Sequence, residues 1–142
     1  MPTSAELLLL DTSAAIALVD PDHVAHDAVR DRVWGCRLGL AGHAEFETFS
    51  VLTRLPGAKR VAPDAAIRLI QIGFPETRHL SGTAAEQLLS ELGSRGVAGG
   101  AVYDALVGAV AGEHALLLVS RDARAMGTYR AMGVDAELVG QS

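Results

Sequence analysis

Cysteine occurs once in this chain, at Cys36. A lone thiol excludes an internal disulfide and cannot build a thiolate zinc cage. Long hydrophobic runs are missing too. No apolar stretch approaches the roughly 20 residues that span a bilayer, so no membrane role is expected. The opening Met1-Pro2-Thr3-Ser4-Ala5-Glu6 lacks the basic region of a secretory signal, and the expected location is the cytoplasm. Positive charge is scarce: 12 Lys and Arg stand against 17 Asp and Glu, for a net charge of −5, and Lys59 is the single lysine. That balance gives no general grip on nucleic acid, which is bound by cations set against phosphates. Any action on nucleic acid must work through metal ions and a local basic patch. Basic residues do bunch at Arg54, Lys59 and Arg60, and again at Arg121, Arg124 and Arg130; both groups also suit plain solvated surface.

What is present is apolar and patterned. Of 142 residues, 49% are hydrophobic, which excludes disorder. The length suits one domain over 1–142, burying roughly 68–70% of its unfolded surface around a single core. Short runs rich in Leu and Val alternate with longer helical patterns, the signature of an α/β fold with a mostly parallel sheet of four to five strands. Strands are predicted at 7–10, 36–41, 77–80 (the weakest pattern), 116–120 and 136–139. Helices are predicted at 14–19, 23–33, 43–54, 64–72, 82–94, 101–114 and 122–132. Two helices follow the second strand before any clear third strand, an insertion in the β–α alternation. No repeat, linker or low-complexity stretch interrupts the pattern.

The acids carry the chemistry. Asp11 closes the run Leu7-Leu8-Leu9-Leu10 and precedes Thr12, Ser13 and an Ala-rich helix. A charge there costs several kcal/mol unless it is paired. Asp122 repeats the arrangement after Leu116-Leu117-Leu118-Val119-Ser120-Arg121. Each acid also suits a helix N-cap. Two strands of a parallel sheet that deliver acids to the same edge, however, mark where ligands bind in open α/β folds. Asp104 lies on a helix apolar almost all round, in line with Gly108 and Gly112 on a face small enough for very close packing. Glu45 and Glu47 compete for a fourth place. Glu47 shares a polar stripe with His43, Ser50 and Arg54, whereas Glu45 falls among Phe46, Phe49 and Leu52, so Glu47 is the choice.

Four carboxylates in one cleft repel: two unit charges ~4 Å apart at an effective dielectric of ~20 cost about 4 kcal/mol. A divalent cation removes that penalty. All-oxygen ligation by Asp11, Glu47, Asp104 and Asp122 selects a hard ion, Mg²⁺ or Mn²⁺ in its place. Phosphodiester hydrolysis is the reaction such a site suits.

On these residues the chain resembles the PIN-domain ribonucleases, and among them the VapC-type toxins of bacterial toxin–antitoxin pairs. The resemblance runs through Leu10-Asp11-Thr12-Ser13-Ala14, the stretch from Glu47 to Pro56, Tyr103-Asp104-Ala105-Leu106, and Ser120-Arg121-Asp122-Ala123-Arg124. It implies a three-layer α/β/α fold and metal-dependent endonucleolytic cleavage of RNA. Its four acids fall on Asp11, Glu47, Asp104 and Asp122. Ser13 and Ser120 match small polar residues that orient ligands or waters, and Arg54, Lys59 and Arg60 are candidate RNA contacts. The resemblance further implies a cognate VapB-type antitoxin that places an arginine among the acids, and a homodimer. Trp34, Phe46 and Phe49 could line an antitoxin groove, but core is their expected place. Two other readings compete: a phosphoryl-transfer domain, disfavoured by Ser13 where a second acid is wanted, and a non-catalytic PIN-like RNA-binding module, disfavoured by the complete set of acids.

Overall fold

Four consecutive leucines leave a strand no polar face, and β1 (Leu7–Leu10) lies inside a sheet with Leu8, Leu9 and Leu10 fully buried. The computed structural model describes residues 5–140. Residues 1–4, most of the stretch without a basic region, lie outside it, as do 141–142, so the expected span 1–142 is described only in between. The sheet has the order β2-β1-β3-β4, with β2 at Arg37–Leu40, β3 at Leu117–Ser120 and β4 at Ala136–Leu138. All three pairings are parallel. Leu8 sits beside Leu38 on one side and Leu117 on the other.

The period of two along β1 divides the core. Leu8 and Leu10 join Val29, Ile70 and Phe74 on one face, while Leu9 joins Val110, Met126 and Tyr129 on the other. Helices α1 (Thr12–Val19), α2 (His26–Val33) and α4 (Pro63–Gly73) supply the first layer. Helices α6 (Ala101–His114) and α7 (Ala123–Ala131) supply the second, joined by Ala44 at the start of α3 (His43–Thr53). Helix α5 (Gly82–Glu91) packs on α6. Three α/β/α layers result. The chain leaves β1 toward β2 and leaves β3 toward β4, in opposite directions along the sheet. A crevice opens where neighbouring parallel strands part in this way, at their carboxyl ends.

Several sequence expectations need correction. The segment 77–80 is not a strand: it makes one bridge, Arg78 with Ala41. It does cover the outer edge of β2, where Glu76 N–H donates to Leu38 O at 2.9 Å and Arg78 N–H to Leu40 O at 3.2 Å. Between those bonds the hydroxyl of Thr77, not a main-chain carbonyl, accepts the Leu40 N–H at 2.9 Å, so the ladder does not propagate. Helix α2 starts at His26 because the His23 ring takes the Ala25 N–H at 3.0 Å and ends a turn there. Helix α5 stops at Glu91, and a 3-10 turn at Gly57–Lys59 was not expected. Trp34 and Phe46 are not core; they are 78% and 66% exposed. The buried row of α3 is Ala44, Thr48 and Leu52, and Phe46, two residues from Ala44 and from Thr48, lies about 200° round the helix from each. Phe49 alone of the three aromatics packs against the core.

Gly39 permits the edge cover on β2, because a Cβ there would lie 2.1 Å from Glu76 O. The clashing atoms, in the peptide group joining Glu76 to Thr77, are backbone and cannot rotate away. Gly39→Ala is expected to destabilise the fold by about 1–3 kcal/mol, typical of overpacking. The urea midpoint should fall with an unchanged slope; an unchanged midpoint would show that the 76–78 segment contributes nothing.

Candidate metal and catalytic site

The crevice is built on two helix caps. Asp11 follows β1 in extended backbone and caps α1, its Oδ1 accepting the Ala14 N–H at 3.1 Å. The side chain is nonetheless only 4% exposed and is held at both oxygens. Ser13 Oγ donates to Oδ1 at 2.6 Å, and the Tyr129 hydroxyl donates to Oδ2 at 2.8 Å. Burial first, and then the Asp11 charge, raise the Tyr129 pKa far above the usual phenol value, so this hydroxyl stays a donor. Capping and cavity lining are therefore compatible in Asp11.

Asp122 is the equivalent acid after β3. It caps α7, Oδ1 accepting the N–H groups of Arg124 and Ala125 at 3.0 and 3.3 Å. Two serines, one in the first turn of α1 and one ending β3, tie the chain after β3 to the start of α1. Ser13 Oγ accepts the Arg121 N–H at 2.8 Å, Ser120 Oγ accepts the Asp122 N–H at 3.0 Å, and the two hydroxyls lie 3.4 Å apart. The carboxyl ends of β1 and β3 are thus locked in register by side chains as well as by the ladder.

Asp104 enters from the first turn of α6 and Glu47 from α3. Together with Asp11, Ser13 and Asp122 they line one cavity of about 380 Å³. Glu45 is elsewhere: its carboxylate lies 3.5 Å from His79 Nε2, in a separate groove with Phe46 and Phe49. The acids feel one another. The Asp104 pKa is raised, first by burial and also by Asp122, Asp11 and Glu47, with Arg124 opposing. The Arg124 guanidinium donates to Asp122 Oδ2 at 3.1 Å. As placed, no three Asp, Glu, His or Cys side chains among the described residues are gathered tightly enough to hold an ion. Uncompensated carboxylates are expected to stand apart in this way.

Arg54, Lys59 and Arg60 do not line this cavity. Lys59 pairs with Asp20 and Asp22 at 3.3 and 3.2 Å, and Arg60 Nε donates to Leu55 O at 3.0 Å. Sequence reasoning missed Tyr129 and gave Arg124 and Tyr103 no role in the site. Tyr129 had a signal. It lies two turns after Asp122, on the side of α7 that also carries Ala125, and faces Gly108, where a Cβ would come within 3.2 Å of its ring. The small face of α6 therefore receives a tyrosine.

Comparison with known proteins agrees with this architecture. The family model described as PIN domain matches residues 8–130. The chain is 48% identical over 128 residues to Ribonuclease VapC27 of Mycobacterium tuberculosis, covering 89% of this chain and 93% of that one. It is 39% identical over 130 residues to Ribonuclease VapC40 of the same species, covering 91% and 96%. In three dimensions it is similar to a chain of the DNA-bound VapBC from Salmonella typhimurium, with a TM-score of 0.62 at 19% identity over 93% of this chain and 97% of that one, a likeness of fold.

Two outcomes follow from the electrostatics. Tyr129→Phe removes a hydrogen bond to a buried charge and should cost about 1.5–3 kcal/mol in urea unfolding; a cost near zero would mean that Asp11 does not depend on it. Asp104→Asn should stabilise the metal-free protein at neutral pH. A carboxyl whose folded pKa exceeds its unfolded value opposes folding above the folded pKa, and the opposition disappears once pH falls below the unfolded one. Melting curves in EDTA should therefore show a gain at pH 7 that vanishes near pH 3; an equal gain at both would remove the charge explanation.

Proposed function

The chain belongs to the PIN-domain family and is a ribonuclease of the VapC type, and from that premise we propose that Asp11, Glu47, Asp104 and Asp122 hold one or two Mg²⁺ ions for endonucleolytic hydrolysis of RNA phosphodiesters. The observation that carries this reading is the convergence of four carboxylates on one open cavity where the parallel strands part, with Asp104 made reluctant to ionise first by its burial and further by the other three. The donor set suits the ion: it is all oxygen, strongly negative and open to solvent, which favours Mg²⁺, with Mn²⁺ as a substitute. When bound, such an ion supplies activation of water and charge for the leaving 3′ oxygen.

The chain's own residues fix the frame for that chemistry. Ser13 and Tyr129 hold the Asp11 carboxylate in one orientation, and the N-terminus of α7 holds that of Asp122. Glu47 stands exposed on α3, able to move toward the others. Of the three basic residues around the connection from α3 to α4, Lys59 is held by Asp20 and Asp22, and in this reading Arg54 and Arg60 meet RNA phosphates away from the scissile one.

The same charge makes the site easy to silence. An arginine from a partner would offset the acids through a bidentate pair, and Arg124 already makes a single such bond within the chain, to Asp122 Oδ2 at 3.1 Å. The VapBC assembly of Salmonella typhimurium supports a toxin role with a VapB-type antitoxin as partner. A homodimer belongs to the same reading. Among the described residues no helix is long and apolar enough to cross a membrane.

Cleavage of an oligoribonucleotide in Mg²⁺ should stop with EDTA and return with excess metal. Asp11→Asn should lower the rate at least about a hundredfold, the scale of losing a preorganised electrostatic group. Mg²⁺ should also raise the melting temperature of the wild-type protein and not that of Asp11→Asn. Full cleavage by pure Asp11→Asn protein would overturn the site.

A further inference from the structure

The acidic cavity has an aromatic rim that the metal chemistry does not use. Tyr103 precedes Asp104 on α6, lines the same cavity and is 55% exposed. His43, at the start of α3, stacks on it with ring centroids 5.3 Å apart and planes 22° from parallel. His43 Nε2 in turn lies 3.8 Å from Glu47 Oε2. The tyrosine is therefore a flat ring backed by a second ring, at the edge of the acidic cavity and still open to solvent.

A site of this charge has difficulty holding RNA. The chain is net negative, and Arg124 is the one cationic residue among those lining the cavity. Lys59 is committed to Asp20 and Asp22. Attraction by phosphate contacts, which dominates most nucleic-acid binding, is weak at this point, and something other than charge must hold the nucleotide in place. Stacking of a base on an aromatic ring is worth about 1–3 kcal/mol and is indifferent to net charge. It needs a base whose face is not already covered by its neighbours in a duplex.

Resting on the ribonuclease reading above, we propose that Tyr103, backed by His43, is the stacking platform for an unpaired nucleobase adjoining the scissile phosphate. Tyr103 then sets binding and register of the substrate while the carboxylates serve the chemistry. His43 is a positioning residue, acting through the orientation of the Tyr103 ring.

Steady-state cleavage of a single-stranded oligoribonucleotide in Mg²⁺ tests this with the full chain. Tyr103→Ala should raise KM about five- to a hundredfold, the range of one lost stack, and leave kcat within a fewfold. Tyr103→Trp should keep the wild-type KM, and His43→Ala should fall between. The salt dependence of KM should not change in Tyr103→Ala, because no phosphate contact is lost. In a Trp34→Phe background, the emission of Tyr103→Trp should be quenched as the oligonucleotide is added, whether or not cleavage follows. Quenching without cleavage by the wild-type protein would sink the ribonuclease reading and leave the platform standing. Normal cleavage with an unchanged KM in Tyr103→Ala, or with no quenching, would overturn the platform. So would a rise in KM that accompanies dissociation of an oligomer, which would place Tyr103 in a protein interface.

Discussion

One carboxylate, on Asp11, organises this molecule. It sits at the end of the inner strand β1, almost wholly withdrawn from water, where an uncompensated charge costs several kcal/mol. The fold offsets that cost with three donors: the Ala14 N–H and the Ser13 hydroxyl of the helix that Asp11 caps, and a tyrosine hydroxyl from α7. The tyrosine needs space, which Gly108 on α6 provides. Helices α1, α6 and α7 are thus arranged around one side chain, and their packing follows from the need to solvate it.

The second carboxylate turns a solved local problem into a functional one. Asp122 is delivered by β3, the neighbour of β1, and is satisfied by its own helix cap. Each acid alone is a helix cap that asks for no metal. Asp104 breaks the symmetry. It lies near both, and their charges add to the reluctance to ionise that its burial already imposes. Strain of this kind is stored where it can be released by binding. Arg124 relieves part of it from within the chain, and a divalent ion or a partner's guanidinium would relieve the rest. Catalysis and inhibition thus draw on the same excess of negative charge.

How much of this could be read from the sequence depends on how local each feature is. The strand Leu7–Leu10 and the helix Ala101–His114 fell where predicted, because an unbroken apolar run and a long helical period need no tertiary information. Asp11, Asp104 and Asp122 stood out as charges in apolar surroundings, and the Glu47 stripe separated it from Glu45. Failures arose where distant chain intervened. The 77–80 segment lies along β2 yet forms no strand, because the Thr77 side chain takes a main-chain bond. Trp34 and Phe46 read as core by residue type alone; helix phase exposes Phe46 and the end of α2 exposes Trp34. The basic residues were grouped by proximity in sequence, and the fold gave Lys59 to Asp20 and Asp22 instead of to the cavity.

The small residues of α6 show why spacing carried more information than composition. Gly108 and Gly112 follow Asp104 at steps of four, so the acid and the glycines share one face. That face meets Tyr129 and Val134. A larger residue at position 108 would press on the ring whose hydroxyl holds Asp11, so the glycine acts on the site through a tyrosine it only touches. The chain of dependence runs from Gly108 to Tyr129 to Asp11, and Asp104 lies one helical turn from its start. Close packing of α6 on α7 and the gathering of acids at the sheet edge are therefore one requirement: Asp104 approaches Asp11 and Asp122 because the helix that carries it can come so near to the helix that Asp122 caps.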